Sequence, residues 1–226
     1  MRKVQAAMLA AVALVLVAAS PNWLATVALN GTAHRIGNPD AKVKLAEYVS
    51  YTCPHCAAFT TEAEGTIQLG YIAPGKISVE IRNLIRDPID MTVAVLAHCG
   101  PAAKFPQNHT AFMTGQARWI APATTATAAQ QQRWRTPGAV GRRAIATDFE
   151  LYNIMERRGY SRVDVDRCLA DDALVQQIAT ASAADWKKPG IDGTPSFSIN
   201  GIVMPGTHNW QGLSQQLEEF VRASAG

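Results

Sequence analysis

The 226-residue chain lacks a dominant charge. Twenty-one Lys and Arg against eighteen Asp and Glu leave a formal net charge of +3. That is too little for the basic footprint that phosphate-backbone binding demands, so no nucleic acid is expected as a partner. The chain also lacks an uninterrupted apolar run of ~20 residues, the length that spans a bilayer. Cysteine is scarce, with four in all and a single close pair among them. About a hundred residues after Asp87-Pro88 carry no convincing strand pattern. What remains is ordinary: hydrophobic residues make up 48%, enough for a buried core in one sizeable domain with an insertion, or in two small ones.

Residues 1–19 read as a secretory signal. Arg2 and Lys3 supply the charged start, Ala6 to Ala19 is uncharged and apolar, and Val17-Ala18-Ala19 offers a small-residue cleavage site. An uncleaved membrane anchor is the competing reading, but the apolar run is short and Ser20-Pro21-Asn22 interrupts it. No cysteine lies nearby, which excludes a lipid-anchored lipoprotein. Loss of Arg2 and Lys3, with no acid, lowers the net charge from +3 to +1. Residues 20–40 read as a short leader with turn signals at Asn30-Gly31 and Gly37-Asn38-Pro39.

The close cysteine pair stands in Ser50-Tyr51-Thr52-Cys53-Pro54-His55-Cys56, after a strand-like run and before a helix-like one. A helix N-terminus presents unpaired N–H groups and the positive end of the macrodipole. That environment favours a thiolate, the form of cysteine that attacks disulfides. Pro54 has no N–H to lose and a φ suited to a helix start. His55, when protonated, adds a positive charge beside the sulfur. Half of a zinc site is the rival reading. It requires further ligands, usually a second close pair, and Cys99 and Cys168 stand far apart. A redox dithiol is therefore expected, with no cofactor and no metal.

The strand before the pair spans Val43 to Val49 and puts Glu47 on one face with Val43, Leu45 and Val49. A carboxylate buried there would have a raised pKa and could exchange protons near neutral pH. A solvated acid at a strand end is the alternative. A helix from Cys53 to about Leu69 and a strand over Ile77, Val79 and Ile81 complete a βαβ unit with a parallel pair. Helices are expected over 89–103, 106–119, 138–146, 148–158 and 163–186, the last with a break near Asp171. The Ala-, Thr- and Gln-rich stretch 122–132 reads as a loop or a weak helix. Trp119, Trp134 and Trp186 read as packing residues. Ser196 to Ile199, the Asn200-Gly201 turn and Ile202 to Met204 form a hairpin. A last amphipathic helix runs over 209–223, capped by His208 or Asn209.

Cys53-Pro54-His55-Cys56 together with Gly193-Thr194-Pro195-Ser196-Phe197 resembles the DsbA-like branch of the thioredoxin superfamily. The resemblance implies a thioredoxin-like α/β fold over residues 41–226, interrupted by a helical insertion at about 87–188. It implies that Cys53 is an exposed nucleophile, Cys56 a buried resolving thiol and Glu47 the acid beneath them. It makes Pro195 the cis-proline against the dithiol, where an ordinary turn is the plain alternative, and leaves Thr194 backbone groups to pair with an extended substrate. The implied function is a periplasmic thiol:disulfide oxidoreductase that introduces disulfides into exported proteins, with a membrane redox partner. A disulfide isomerase or reductase is the alternative, as is a peptide-binding module with a structural disulfide. Thr194 departs from the Val of the best-known oxidases and looks more like the isomerases. Only about twenty residues separate the cleavage site from the first strand, too few for the oligomerising domain of those isomerases, so a monomer is expected. Cys99 and Cys168 are expected to form a structural disulfide within the insertion, with two buried free thiols as the alternative.

Overall fold

The computed structural model describes residues 21–225; the expected signal segment, 1–19, lies outside them. The fold is α/β and thioredoxin-like, as the two motifs implied. Strand β3 (Val43–Val49) lies parallel to β4 (Ile77–Asn83) and antiparallel to β5 (Ser196–Ile199), which turns at Asn200-Gly201 into β6 (Ile202–Val203). Helix α1 (Pro54–Ile67) crosses over between the two parallel strands and runs on into a π-helical turn at Gln68–Ile72. Alternation along β3 sends Val43, Leu45 and Val49 into a core with Phe59, Ala63 and Ile67 of α1. Leu213 and Leu217 of the last helix, α10 (Trp210–Ala225), join the same core. Asn209 caps α10, its Oδ1 accepting the Gly212 N–H at 2.9 Å.

The opposite face of the sheet is polar as well as apolar. Tyr48 and Arg82 are register partners there, and the Arg82 guanidinium donates to the buried Asp185 carboxylate at 2.7 Å.

The leader is not a separate tail. Strands β1 (Val27–Asn30) and β2 (Ala33–Gly37) form a hairpin within it, and β2 pairs antiparallel with β4. The sheet order is β1-β2-β4-β3-β5-β6. The sequence hid this because the hairpin is half-exposed and its pattern short, so its pairing is set by the edge of β4 rather than by its own periodicity.

Between β4 and β5 the regular elements are helical: α2 (Pro88–Ala97), α3 (Phe105–Thr114), α4 (Gln116–Trp119), α5 (Ala128–Trp134), α6 (Gly138–Asp148), α7 (Leu151–Arg157), α8 (Arg162–Leu169) and α9 (Asp172–Asp185), with short 3-10 turns. Local chemistry explains where the boundaries differ from the expected ones. The helix expected over 89–103 stops at Ala97, because Gly100 adopts φ +84° and Pro101 follows. The helix expected over 106–119 is two helices meeting at Gly115, where a Cβ would stand 2.8 Å from the Ala111 carbonyl oxygen. The Ala-rich stretch does carry a helix, α5, started by a reciprocal capping box between Thr127 and Gln130. Trp119 and Trp134 are buried, and their N–H groups donate to the Phe112 carbonyl and the Asp148 carboxylate. Phe105, Phe112, Phe149 and Leu151 make this layer continuous with the sheet core.

Cys99, just past α2, is disulfide-bonded to Cys168 on α8, with Cα atoms 5.7 Å apart and a sequence separation of 69. Closing a loop of that size stabilises by roughly 4 kcal/mol in the chain-entropy model. Cys99→Ser with Cys168→Ser is therefore expected to lower unfolding free energy by about that amount in denaturant titrations. Non-reducing peptide mapping should recover the two cysteines as one linked peptide; recovery of both as free thiols from oxidised protein contradicts the pairing.

Candidate active site

The parallel ladder ends at Val49 and Asn83, so the loop leaving β3 emerges at the carboxyl end of the sheet and turns at once into α1. Cys53 occupies the N-cap of α1 with φ −89° and ψ 117°, and Pro54 takes the first helical position. Cys53 and Cys56 both carry free thiols. The Thr194–Pro195 bond is cis, and the Cys53 thiol donates to the Thr194 carbonyl oxygen at 3.0 Å. The structure thus brings Cys53, Pro54, His55, Cys56, Thr194 and Pro195 together, across a sequence separation of 141 residues.

The loop before the dithiol is held from several sides. Asp90, fully buried on the first turn of α2, accepts from Ser50 Oγ at 2.6 Å, from the Tyr51 N–H at 2.7 Å and from the Arg86 N–H at 3.1 Å. Burial pushes its carboxyl up to about 7, with the hydrogen bonds from Ser50 and Tyr51 opposing that rise. Asp87 caps α2 through the Asp90 N–H and accepts from Thr52 Oγ1 at 2.7 Å. The Tyr51 hydroxyl and His109 Nδ1 share a hydrogen bond of 3.0 Å. Gln116 donates to the carbonyls of Tyr51 and Cys53.

Two expectations about the sulfurs change. Cys53 is not exposed: it is 3% accessible, covered by the Thr194 carbonyl, while Pro54 and His55 face solvent. The lowering of its thiol to about 5 also has a different origin from an imidazolium charge. The hydrogen bond from the Cys56 thiol contributes most, and burial opposes it. The Thr194 side chain and the N–H groups of Cys56 and His55 add the rest. His55 therefore acts on the sulfur through its backbone. Burial pushes the Cys56 thiol well above its ordinary value, and the Cys53 sulfur and the Glu47 charge push the same way.

Glu47 is a buried acid, 5% accessible, with no hydrogen-bond partner for Oε1. Burial first, and the charge of Glu64 second, push its carboxyl up to about 8. Both acids line a cavity of about 660 Å³ between the sheet, α1 and α3, together with Phe59, His109 and Thr110. Glu64 accepts from Thr110 and Gln68.

A family model described as thioredoxin matches residues 29–219. The chain belongs to the thioredoxin family. Its structure superimposes on a crystal structure of protein-disulfide isomerase from Novosphingobium aromaticivorans with a TM-score of 0.82 and 46% identity, covering 85% of this chain and 99% of that one. Wolbachia pipientis alpha-DsbA1 shares the fold, with a TM-score of 0.63 at 20% identity over 84% of this chain and 92% of the other. A Rickettsia bellii protein provisionally named a protein-disulfide oxidoreductase is 28% identical over 168 residues, 74% of this chain and 56% of its own length. The chain spans about half the length of the curated relatives it matches.

Sequence reading of this thioredoxin-family chain missed Asp90, Gln116, His109 and Glu64. Asp87-Pro88-Ile89-Asp90 carries a readable helix-start signature, a capping Asp with Pro at the first helical position and an acid in the first turn. Gln116 and His109 reach the site only through tertiary packing and leave no local signal.

Two outcomes follow from the ionisation states. Thiolate absorbance of the reduced protein should titrate Cys53 near pH 5, with Cys53 alkylated well before Cys56; a midpoint at or above the ~8.5 of free cysteine contradicts the electrostatic reading. For Glu47 the folded pKa of about 8 lies above the ordinary value of 4.5. Its contribution to stability is therefore fully present below about pH 4.5 and is lost as pH rises through 8. Glu47→Gln removes that loss, so at pH 7 it is expected to stabilise the fold by about 3 kcal/mol and by much less at pH 4, as read by denaturant midpoints at the two pH values.

Proposed function

We propose that this chain is a periplasmic thiol:disulfide oxidoreductase that introduces disulfides into exported proteins. The observation that supports it most is the placement of the pair: Cys53 at the N-cap of α1 against the cis Thr194–Pro195 bond and Cys56 fully buried behind it, which lowers the first thiol and raises the second. A stabilised Cys53 thiolate favours the reduced protein, which makes the disulfide form a strong oxidant. In the forward reaction a client thiolate attacks Cys53 Sγ of the Cys53–Cys56 disulfide. The S–S bond breaks, Cys56 leaves with the electron pair, and a client–Cys53 mixed disulfide forms. Cys56, with its high pKa, takes a proton from the Glu47 carboxyl, itself poised near neutrality. A second client thiolate then displaces Cys53 as a stable thiolate, leaving the client oxidised by two electrons and the protein reduced. Reoxidation passes the two electrons to a membrane redox partner.

While Cys53 is protonated, its thiol donates to the Thr194 carbonyl. Once that sulfur is in a disulfide, the carbonyl is free to accept an N–H from an extended client, the backbone pairing by which sheet-edge sites hold peptides. Isomerisation is the second reading. It is favoured by Thr194 and by the name of the Novosphingobium relative, a protein-disulfide isomerase.

Time-course assays on a reduced and on a scrambled client separate the two. The oxidised protein should be a monomer by light scattering, oxidise reduced client quickly and restore scrambled client slowly, and Cys53→Ser should abolish both activities. A dimer or trimer that restores scrambled client faster than it oxidises reduced client reverses the assignment. Activity that survives Cys53→Ser leaves only a peptide-binding module.

A further inference from the structure

Gln116 is the one side chain of the helical insertion that grips the nucleophile's own backbone. It is 4% accessible and sits on α4, and its Nε2 donates to the Tyr51 carbonyl at 2.7 Å and the Cys53 carbonyl at 2.9 Å. Both partners are acceptors, so the orientation of the amide is fixed by its contacts, with nitrogen toward the loop. The Cys53 carbonyl is the first of α1 and also accepts the Ala57 N–H at 3.3 Å. Gln116 therefore occupies its second acceptor site. Two bonds on one carbonyl fix the plane of the Cys53–Pro54 peptide, and with it the direction in which the helix leaves the sulfur. That direction aims the N–H groups of His55 and Cys56 at Cys53 Sγ, two of the contributions that hold its thiol down. Pro54 has no N–H and cannot hold this peptide plane from the other side.

We propose that Gln116 is a positioning residue for the attacking sulfur: it couples the helical insertion to the Cys53 thiolate by fixing the first carbonyl of α1. The proposal rests on Cys53 being that sulfur. Asp90 and His109 hold the same loop at Ser50 and Tyr51, one or more residues short of the cysteine. Gln116 alone among these three reaches the Cys53 peptide itself. Removing its donors leaves the Asp90 and His109 anchors on the loop intact but frees the helix start to rotate, so that the N–H groups no longer converge on sulfur.

The test uses the full chain with Gln116→Met, similar in length and without a donor, and Gln116→Glu, a buried acid that when neutral keeps one O–H donor. Thiolate absorbance against pH and equilibrium with glutathione are measured for each, with thermal midpoints of the oxidised and reduced forms. Gln116→Met should raise the Cys53 midpoint by about one pH unit, a tenfold smaller thiolate-to-thiol ratio at a given pH, and shift the glutathione equilibrium about tenfold toward the protein disulfide. Gln116→Glu should shift both about threefold. A folded Gln116→Met protein with an unmoved Cys53 midpoint overturns the proposal, even if both redox forms melt equally earlier, since that is the mark of a merely structural residue. Should Gln116→Met fail to fold, Gln116→Glu decides: a threefold shift supports the coupling and none overturns it. A wild-type Cys53 midpoint near that of free cysteine overturns the nucleophile reading instead, a result distinct from a low wild-type midpoint that the variants leave unchanged.

Discussion

A carboxylate without access to solvent, Asp90, is the tie on which the site depends. It is the point where the end of β3 and the start of α2 meet, and its two oxygens accept from a side chain and two backbone N–H groups drawn from both segments. A buried acid that is ionised is costly to desolvate, and it is tolerated only when its lone pairs are met. Here they are met by atoms whose positions are the active-site loop. The loop cannot drift without uncovering the charge, so the helical layer and the sheet layer are locked at the place where the dithiol begins. Asp87, the neighbouring cap, does the same for Thr52 with an exchange between side chains.

The site collects buried ionisable groups of opposite tendency. Glu47 and Asp90 are pushed up by burial. His34, His98 and His109 are pushed down to about 4, 3 and 4 by burial, the latter two also by the other histidines. The histidines cluster around Phe105, with His34 stacked on it at 3.7 Å and His98 edge-on at 5.3 Å. For Glu47 and the histidines the neutral form is favoured near neutrality. Asp90, with its carboxyl at about 7 and three donors on it, still carries charge there, and so does the Cys53 sulfur.

How much of this could be read from the chain depends on whether the signal was local. Cys53, Pro54 and Cys56 announce a helix start in four consecutive residues, and alternation along 43–49 by itself turns Glu47 inward. Gly193-Thr194-Pro195 reads as part of the site only beside the first motif, because a Thr-Pro turn is common in isolation. The helical layer was legible as helical from the missing strand pattern, but the break at Gly115 was not, and those at Gly100 and Glu150 lie a few residues from where the pattern put them. Glu150 adopts a left-handed φ of 53°, a conformation that nothing in a Glu signals. The hairpin at 27–37 and the grip of Gln116 are decided by distant partners, and the sequence near them is silent about both.

The contact between Cys53 and Thr194 has a bearing on the order in which the molecule is assembled. A chain is made from its N-terminus, so the dithiol exists long before the segment that shields it. The strand that seats that segment, β5, pairs with β3 only after the whole helical layer has been synthesised. While the helical layer is still being made, the growing chain carries Cys53, Cys56 and Cys99 before the fourth cysteine, Cys168, is added. Correct pairing within the growing chain thus depends on which sulfurs the fold has already put out of reach.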